Sequence, residues 1–408
     1  MGLAAAVAVA MVFAARTVVV GRNVTGRRPP LERAVVTIDP RHARYVQPTE
    51  ARAPVSLGRR TPVGALAGLY DAAGPLGVVI DYGSVLGAEK IVVVDARDGT
   101  RRTLVGGARG ARENMAVTDA RLSSSWLVWE EASQYDIELG GRARWRIFAA
   151  PILPAGGIGR VRTVDEGTVA TRPRCEFAVS GARLAYVTNS VSAGRRVRID
   201  GRLVVIDLAS GRRTTPARLP VAFEDLSWSG TDVVLLRHEL GAPKRLRVCV
   251  VGLDGTVRRQ WRLPEGWELV GRPVVSGGRL AFAFTSQHEG RAEGALLTDA
   301  SGAAQWRMPP GTAGPTFVGK WVVYTRSADQ NAASSASSIG VQQRSGVLAL
   351  DPATGREYEL AGCDMSAGVW GAPSGIGPAG KEFLAARRPY ELDPAGRAAV
   401  ILARFVLR

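Results

Sequence analysis

Hydrophobic positions along this chain fall in short runs, each set off by a small turn that usually contains glycine. One half-unit recurs. A small residue and a glycine precede a β-prone run that ends in polar residues: RLAYVTNS at 183–190, DVVLLRHE at 232–239, RLAFAFTS at 279–286 and WVVYTRS at 321–327. Weaker copies are GVVIDYG at 77–83, SWLVWEE at 125–131 and EFLAARR at 382–388. The glycine supplies the positive φ of a tight hairpin, and the run after it has the length and near-alternation of a buried strand.

A second half-unit follows most copies: an apolar strand, an aspartate, a glycine turn and a polar strand. Its clear examples are IVVVDARDGTRRTL (91–104), LVVIDLASGRRTT (203–215), VCVVGLDGTVRRQW (248–261), ALLTDASGAAQW (295–306) and VLALDPATGREYEL (347–360). Asp95, Asp207, Asp254, Asp299 and Asp351 are expected to bond the backbone across the turn. Gly99, Gly211, Gly255, Gly302 and Gly355 are expected to take the left-handed conformation. RIFAAPILPAGG (146–157) is a degenerate copy, and AAVILARFVLR (398–408) a terminal one without the turn.

Paired, the half-units make seven repeats whose second strands start near residues 77, 126, 183, 232, 279, 321 and 382. Four-stranded propeller blades need about 40–50 residues each, and radial closure removes the exposed edges that so many strands would otherwise leave. The fold class is therefore all-β, a seven-bladed β-propeller of four-stranded antiparallel blades. Six or eight blades stay open, because the first and last repeats are the least regular. The last repeat lacks room for an outer strand, and RAVVTID (33–39) is expected to supply it and lock the ring.

The turn–strand and strand–Asp–x–x–Thr/Ser–Gly patterns resemble the TolB-like and WD-repeat-like propellers of bacterial envelopes, over roughly residues 75–408. DASGAAQW (299–306) and DPATGREYEL (351–360) also resemble the repeats of pyrroloquinoline-quinone-type propellers. The resemblance implies a propeller that binds a protein or ligand at one face. It implies no reaction, since this fold hosts many unrelated functions. No residue matches a cofactor-ligand motif of the quinone enzymes, and no cofactor is expected.

Ahead of the repeats, Leu3 to Ala15 is a run of thirteen apolar residues. That is the length of a signal-peptide core and short of the roughly 20 residues of a membrane span. Arg16, Arg22, Arg27 and Arg28 follow the run and none precedes it, a flank that opposes export by the positive-inside rule. The expected organisation is an apolar signal or anchor at 1–20, a linker at 21–30 and one propeller domain at 31–408. The expected location is the cell envelope, with the cytoplasm as the alternative.

Formal charge is +16, but 49 of the 53 basic residues are arginine and they lie scattered in pairs such as Arg101-Arg102 and Arg212-Arg213. Dispersed charge disfavours a nucleic-acid groove, although a basic face attracts anionic polymers. A monomer with a protein partner is expected, with membrane association through residues 1–20. Cys175, Cys249 and Cys363 form no C-x-x-C pair, so zinc and redox motifs are absent and buried free thiols are expected.

Candidate chemistry is sparse. There is no H-E-x-x-H, G-x-S-x-G or phosphate-binding loop. His238-Glu239 and His288-Glu289 fall at or past the ends of consecutive second strands, and Glu130-Glu131 occupy a similar strand end. Imidazole with carboxylate at a channel mouth could ligate a divalent metal or do acid–base work; solvated loop residues are the plainer account. Arg144, Arg195, Arg196 and Arg198 could form a basic rim for an anionic ligand. Trp261 and Trp306 follow the Asp–Gly turns at the outer strand, where the propellers that the repeats resemble use aromatic residues to dock neighbouring blades. The leading function is a non-enzymatic binding or scaffold module. The alternatives are a lyase or hydrolase with a site at the channel mouth, and an anionic-polymer or nucleic-acid binder.

Overall fold

The structure is a computed structural model. It describes residues 35–49, 51, 55–64, 67–82, 88–133, 144–154, 156–168, 176–192, 198–239, 242–286, 293–326, 346–362, 369–370, 374–375, 381–388 and 400–407. The expected signal or anchor, the linker, His288, Glu289, Arg195 and Arg196 lie outside the described residues.

The chain forms seven sheets in a ring, a seven-bladed β-propeller. Blade 1 runs through Ala67–Ala73, Leu76–Asp81, Lys90–Asp95 and Arg101–Val105, from the innermost strand outward. Blade 2 comprises Met115–Leu122, Trp126–Ser133, Arg144–Pro151 and Arg162–Thr168. Blade 3 comprises Phe177–Ser180, Arg183–Ser192, Arg198–Asp207 and Arg213–Leu219. Blade 4 comprises Phe223–Ser229, Asp232–Glu239, Ala242–Val251 and Val257–Arg262. Blade 5 comprises Trp267–Ser276, Arg279–Ser286, Glu293–Thr298 and Ala304–Met308, and blade 6 comprises Thr312–Val318, Trp321–Arg326, Gly346–Leu350 and Arg356–Gly362. In blade 7 the short pieces Val369–Trp370 and Ser374–Gly375 precede Glu382–Arg388 and Val400–Leu407.

Second strands are apolar on both faces because each blade is sandwiched between two others. Side chains alternate across a strand. Val234 and Leu236 therefore join Phe282 and Phe284 in the layer between blades 4 and 5. Val233 and Leu235 join Ala185 and Val187 in the layer between blades 3 and 4. Seven such apolar clusters, one per blade interface, make up the core.

The Asp–Gly turns behave as their residues require. Asp207 accepts the Ser210 amide at 2.7 Å, and Gly211 takes φ +78°. Asp299 accepts the Gly302 amide at 2.9 Å, and Gly302 takes φ +98°. The glycines also let the next blade approach. A Cβ on Gly355 would sit 2.2 Å from the Trp306 ring, whose indole N–H donates to the Pro352 carbonyl at 2.8 Å. A Cβ on Gly302 would sit 2.7 Å from Nε1 of Trp261. Both tryptophans dock a blade beneath the turn of the following one.

Ring closure differs from the sequence expectation. Val55–Gly64, not residues 33–39, is the outer strand of blade 7, antiparallel to Val400–Leu407. Val36–Thr37 instead adds a parallel fifth strand to blade 4. The chain then continues around the rim, adding Arg44–Tyr45 to blade 5 and Gln47–Pro48 to blade 6. Ile38 and Val46, 2% and 4% exposed, plug the layers between blades 4 and 5 and between blades 5 and 6. This N-terminal belt thus clips three consecutive blade edges before closing the fourth.

Candidate functional site

The innermost strands contact one another around the full ring and line a central channel. Five of them are irregular at a similar depth. Register shifts fall between Leu69 and Asp71 in blade 1, opposite Glu130 and Glu131 in blade 2, and between Glu224 and Leu226 in blade 4. They recur between Val270 and Val274 in blade 5 and between Ala313 and Thr316 in blade 6. A bulge breaks the alternation that would otherwise pack each side chain between blades, and re-aims it.

At this level lie Asp71, Asp119, Arg121, Asp225 and Arg272, with Glu176 at the start of the blade 3 inner strand. Asp71 accepts the Ala72 amide at 2.9 Å and, from the neighbouring blade, the Leu122 amide at 3.0 Å. Arg121 pairs with Asp119 at 2.6 Å and donates to the Tyr70 carbonyl at 2.9 Å. Arg272, from blade 5, reaches across the axis to 3.8 Å from Asp119 and 3.7 Å from Glu176.

Burial raises the carboxyl groups of Asp71 and Asp119 above the usual range, with Arg121 opposing. Asp225 is pushed up to about 7, first by burial and then by the charges of Glu176 and Glu224, with Arg272 opposing. Carboxyl groups so perturbed inside a cleft mark a functional-site candidate. Such a group can hold or release a proton near neutrality, or accept hydrogen bonds in a fixed direction.

The sequence candidates sit elsewhere. His238 bonds Glu224 through Nε2 at 2.7 Å, at the channel-side end of its own blade. Glu239 is buried in the blade 4 sheet, between Arg247 at 2.6 Å and Arg262 at 2.5 Å. Glu130 accepts the Thr118 hydroxyl at 2.6 Å. Glu131 accepts the amides of Arg109 and Gly110 and the indole N–H of Trp129, tying the loop before blade 2 to its second strand. Among the described candidates, His238 adjoins the channel cluster through Glu224, and Glu130 lies opposite Asp119 in the blade 2 sheet. Arg144 pairs with Glu113 at 3.4 Å on the surface, and Arg198 begins the third strand of blade 3. Among the described residues no group of three His, Cys, Asp or Glu side chains is disposed to hold a metal ion. Cys249 is a buried free thiol that accepts from Arg237 Nε at 3.3 Å.

No protein-family model matches the chain, and no curated protein matches its sequence. Solved structures do match. A prolyl endopeptidase is similar with a TM-score of 0.51 at 16% identity, over 84% of this chain and 46% of that one. An oligogalacturonate lyase in complex with manganese is similar with a TM-score of 0.50 at 12% identity, over 87% of this chain and 97% of that one. TolB from Acinetobacter baumannii is also among them, with a TM-score of 0.37 at 15% identity, over 81% of this chain and 80% of that one. The likeness is one of fold. The structures named include enzymes as well as TolB.

Proposed function

We propose that this protein is a non-catalytic binding propeller that engages a protein partner at the mouth of its central channel, at the cell envelope. One observation carries the reading. Side chains from five blades converge at the bulged level of the inner strands, and Arg272 spans the axis to blades 2 and 3. Rigid packed blades hold these groups in place before any ligand arrives, which lowers the ordering cost of recognition. The apolar run at Leu3–Ala15 supports the envelope location. Among the described residues no helix is long and apolar enough to cross a membrane.

The test begins with fractionation of cells expressing the full chain or a chain lacking residues 1–20. The reading expects the full chain in membrane or exported fractions and the truncation in the soluble interior. Partners captured from that fraction should be retained by the wild type and lost by Arg272→Ala. Retention by both would move the binding surface off the channel, and a full chain found only in the cytoplasm would overturn the location.

A second reading, acid–base catalysis in the channel, is favoured by one observation. Asp225, pushed up to about 7, adjoins Glu224, which holds His238 at 2.7 Å. A carboxyl group near neutrality beside a carboxylate–imidazole pair suits proton transfer.

A further inference from the structure

The rim between blades 3 and 4 lacks a side chain that the next two rims have. In blade 5, Leu297 stands two residues before the turn aspartate Asp299, and its partner across the ladder is Trp306. The Trp306 ring fills the layer between blades 5 and 6, against Gly355 of the next turn, with the Arg44 guanidinium 4.3 Å from its centroid. Trp261 fills the layer between blades 4 and 5 in the same way, against Gly302, with the Arg259 guanidinium 4.9 Å away. In blade 3 the residue two before the turn aspartate Asp207 is Val205, and its ladder partner is Thr214. A threonine thus occupies the register position of Trp306. The next turn glycine, Gly255, faces the Pro216 carbonyl instead of a ring, 2.6 Å from where a Cβ would sit.

The consequence is a cavity of about 410 Å³ at this rim, lined by Arg183, Val205, Asp207, Arg212, Thr214 and Leu253. Val205 and Leu253 belong to the apolar layer between blades 3 and 4. Arg183 pairs with Asp207 across one ladder and Val205 with Thr214 across the next, so alternation puts all four on the face of blade 3 that looks toward blade 4. Asp207 is already committed. Its carboxylate accepts the Ser210 amide at 2.7 Å and the Ser210 hydroxyl at 2.8 Å, with the Arg183 charge beside it. Arg212 is exposed, and among the described residues its guanidinium enters no ion pair. The charge around the cavity is therefore net positive. A recess of this volume, with apolar walls and a few convergent polar groups, has the form of a small-molecule site, which typically spans about 300–1,000 Å³.

We propose that the cavity between blades 3 and 4 binds a small aromatic acid. The ring takes the place that Trp306 holds in blade 5, against Val205, Thr214 and Leu253, and the acid group pairs with Arg212 and Arg183. The two filled rims show what this position accepts. Each seats an indole against a turn glycine with a guanidinium over the ring, a cation–π contact that adds to burial of the ring. Pro216 removes a backbone donor from the outer strand of blade 3, so this edge is a poor template for an added strand of another chain. A free small molecule, held by its ring and its charge, needs no such donor. The site belongs to the outer strands and does not depend on the charged cluster of the channel.

The test is calorimetric titration of the full chain with indole-3-propionate. Tryptamine supplies the ring without the acid, and hexanoate the acid without the ring. Indole-3-propionate should bind at least about tenfold more tightly than either. Thr214→Trp, which gives blade 3 the side chain of blade 5, should fill the cavity and abolish binding while the protein still melts cooperatively. Arg212→Ala, at an exposed position, should weaken binding about tenfold, and it decides the matter where Thr214→Trp does not fold. Arg144→Ala, on the surface of blade 2, should bind as the wild type does. Failure of indole-3-propionate to bind, or equal binding of all three compounds, overturns the proposal. So does undiminished binding by a folded Thr214→Trp, or an equal loss in Arg144→Ala and Arg212→Ala, which would show attraction to net charge and no site.

Discussion

Trp306 on the outer strand of blade 5 donates its indole N–H to the carbonyl of Pro352, in the turn of blade 6, at 2.8 Å. The same ring packs against Gly355, the left-handed glycine of that turn, and carries the Arg44 guanidinium 4.3 Å from its centroid. One side chain thus joins two blades and the N-terminal belt.

Truncating it should be costly. Trp306 is 2% exposed, so Trp306→Ala removes a large buried ring and leaves the Pro352 carbonyl without its donor. The expected loss is about 3–5 kcal/mol, read from chemical denaturation. Gly355→Ala should also destabilise, by at least about 1 kcal/mol, because φ is +74° and a Cβ would fall 2.2 Å from the ring. A neutral Gly355→Ala would mean that the two blades can separate freely at this point.

The belt and the closing strand make separable contributions. Deleting residues 35–48 removes Ile38 and Val46 from two blade interfaces, each a burial worth about 1.5–3 kcal/mol, but leaves blade 7 complete. Deleting residues 35–64 also removes the outer strand of blade 7 and with it Val63, which packs between blades 7 and 1. The shorter deletion should lower the melting temperature and keep a cooperative transition. The longer one should abolish cooperative melting. Similar melting of the two proteins would show that Val55–Gly64 does not close the ring.

Repeats made most of this fold legible. The second strands begin at 76, 126, 183, 232, 279, 321 and 382, within one residue of the turn-based reading, because each follows a small turn that constrains the backbone. The closing strand was hidden for a physical reason. VSLGRRTPVG carries two glycines, a proline and two arginines, a turn-like composition that an edge strand tolerates because one side of its ladder is open. Two-residue belt strands have no period at all. The channel cluster was hidden differently. The polar ends of second strands are the conspicuous sites in the sequence, whereas the charges sit inside first strands, as in YDAA, TDAR and FEDLSW. A charge within an apolar inner strand is a usable signal, but its partners come from other blades, and bulges shift which residue faces the channel.

Asp225 ties stability to pH in a direction opposite to that of a salt-bridged carboxylate. Its carboxyl sits at about 7 in the folded chain against an ordinary 3.8, because burial, Glu176 and Glu224 together outweigh Arg272. Between these values the folded state holds a proton that the unfolded state has lost. Stability from this group therefore falls as pH rises from about 4 to about 7 and is flat above. A shift of that size corresponds to a ceiling of about 4 kcal/mol, and partial solvent access reduces it to roughly 1–3 kcal/mol. Asp71 and Asp119 are raised in the same sense, so the wild-type curve mixes all three, and the difference between variants isolates one. Asp225→Asn should match the wild type in stability near pH 4 and exceed it at pH 8, measured by urea unfolding across that range. A variant less stable than wild type at pH 8 would show that the ionised carboxylate makes a stabilising contact in the folded chain, and that its burial is not a cost.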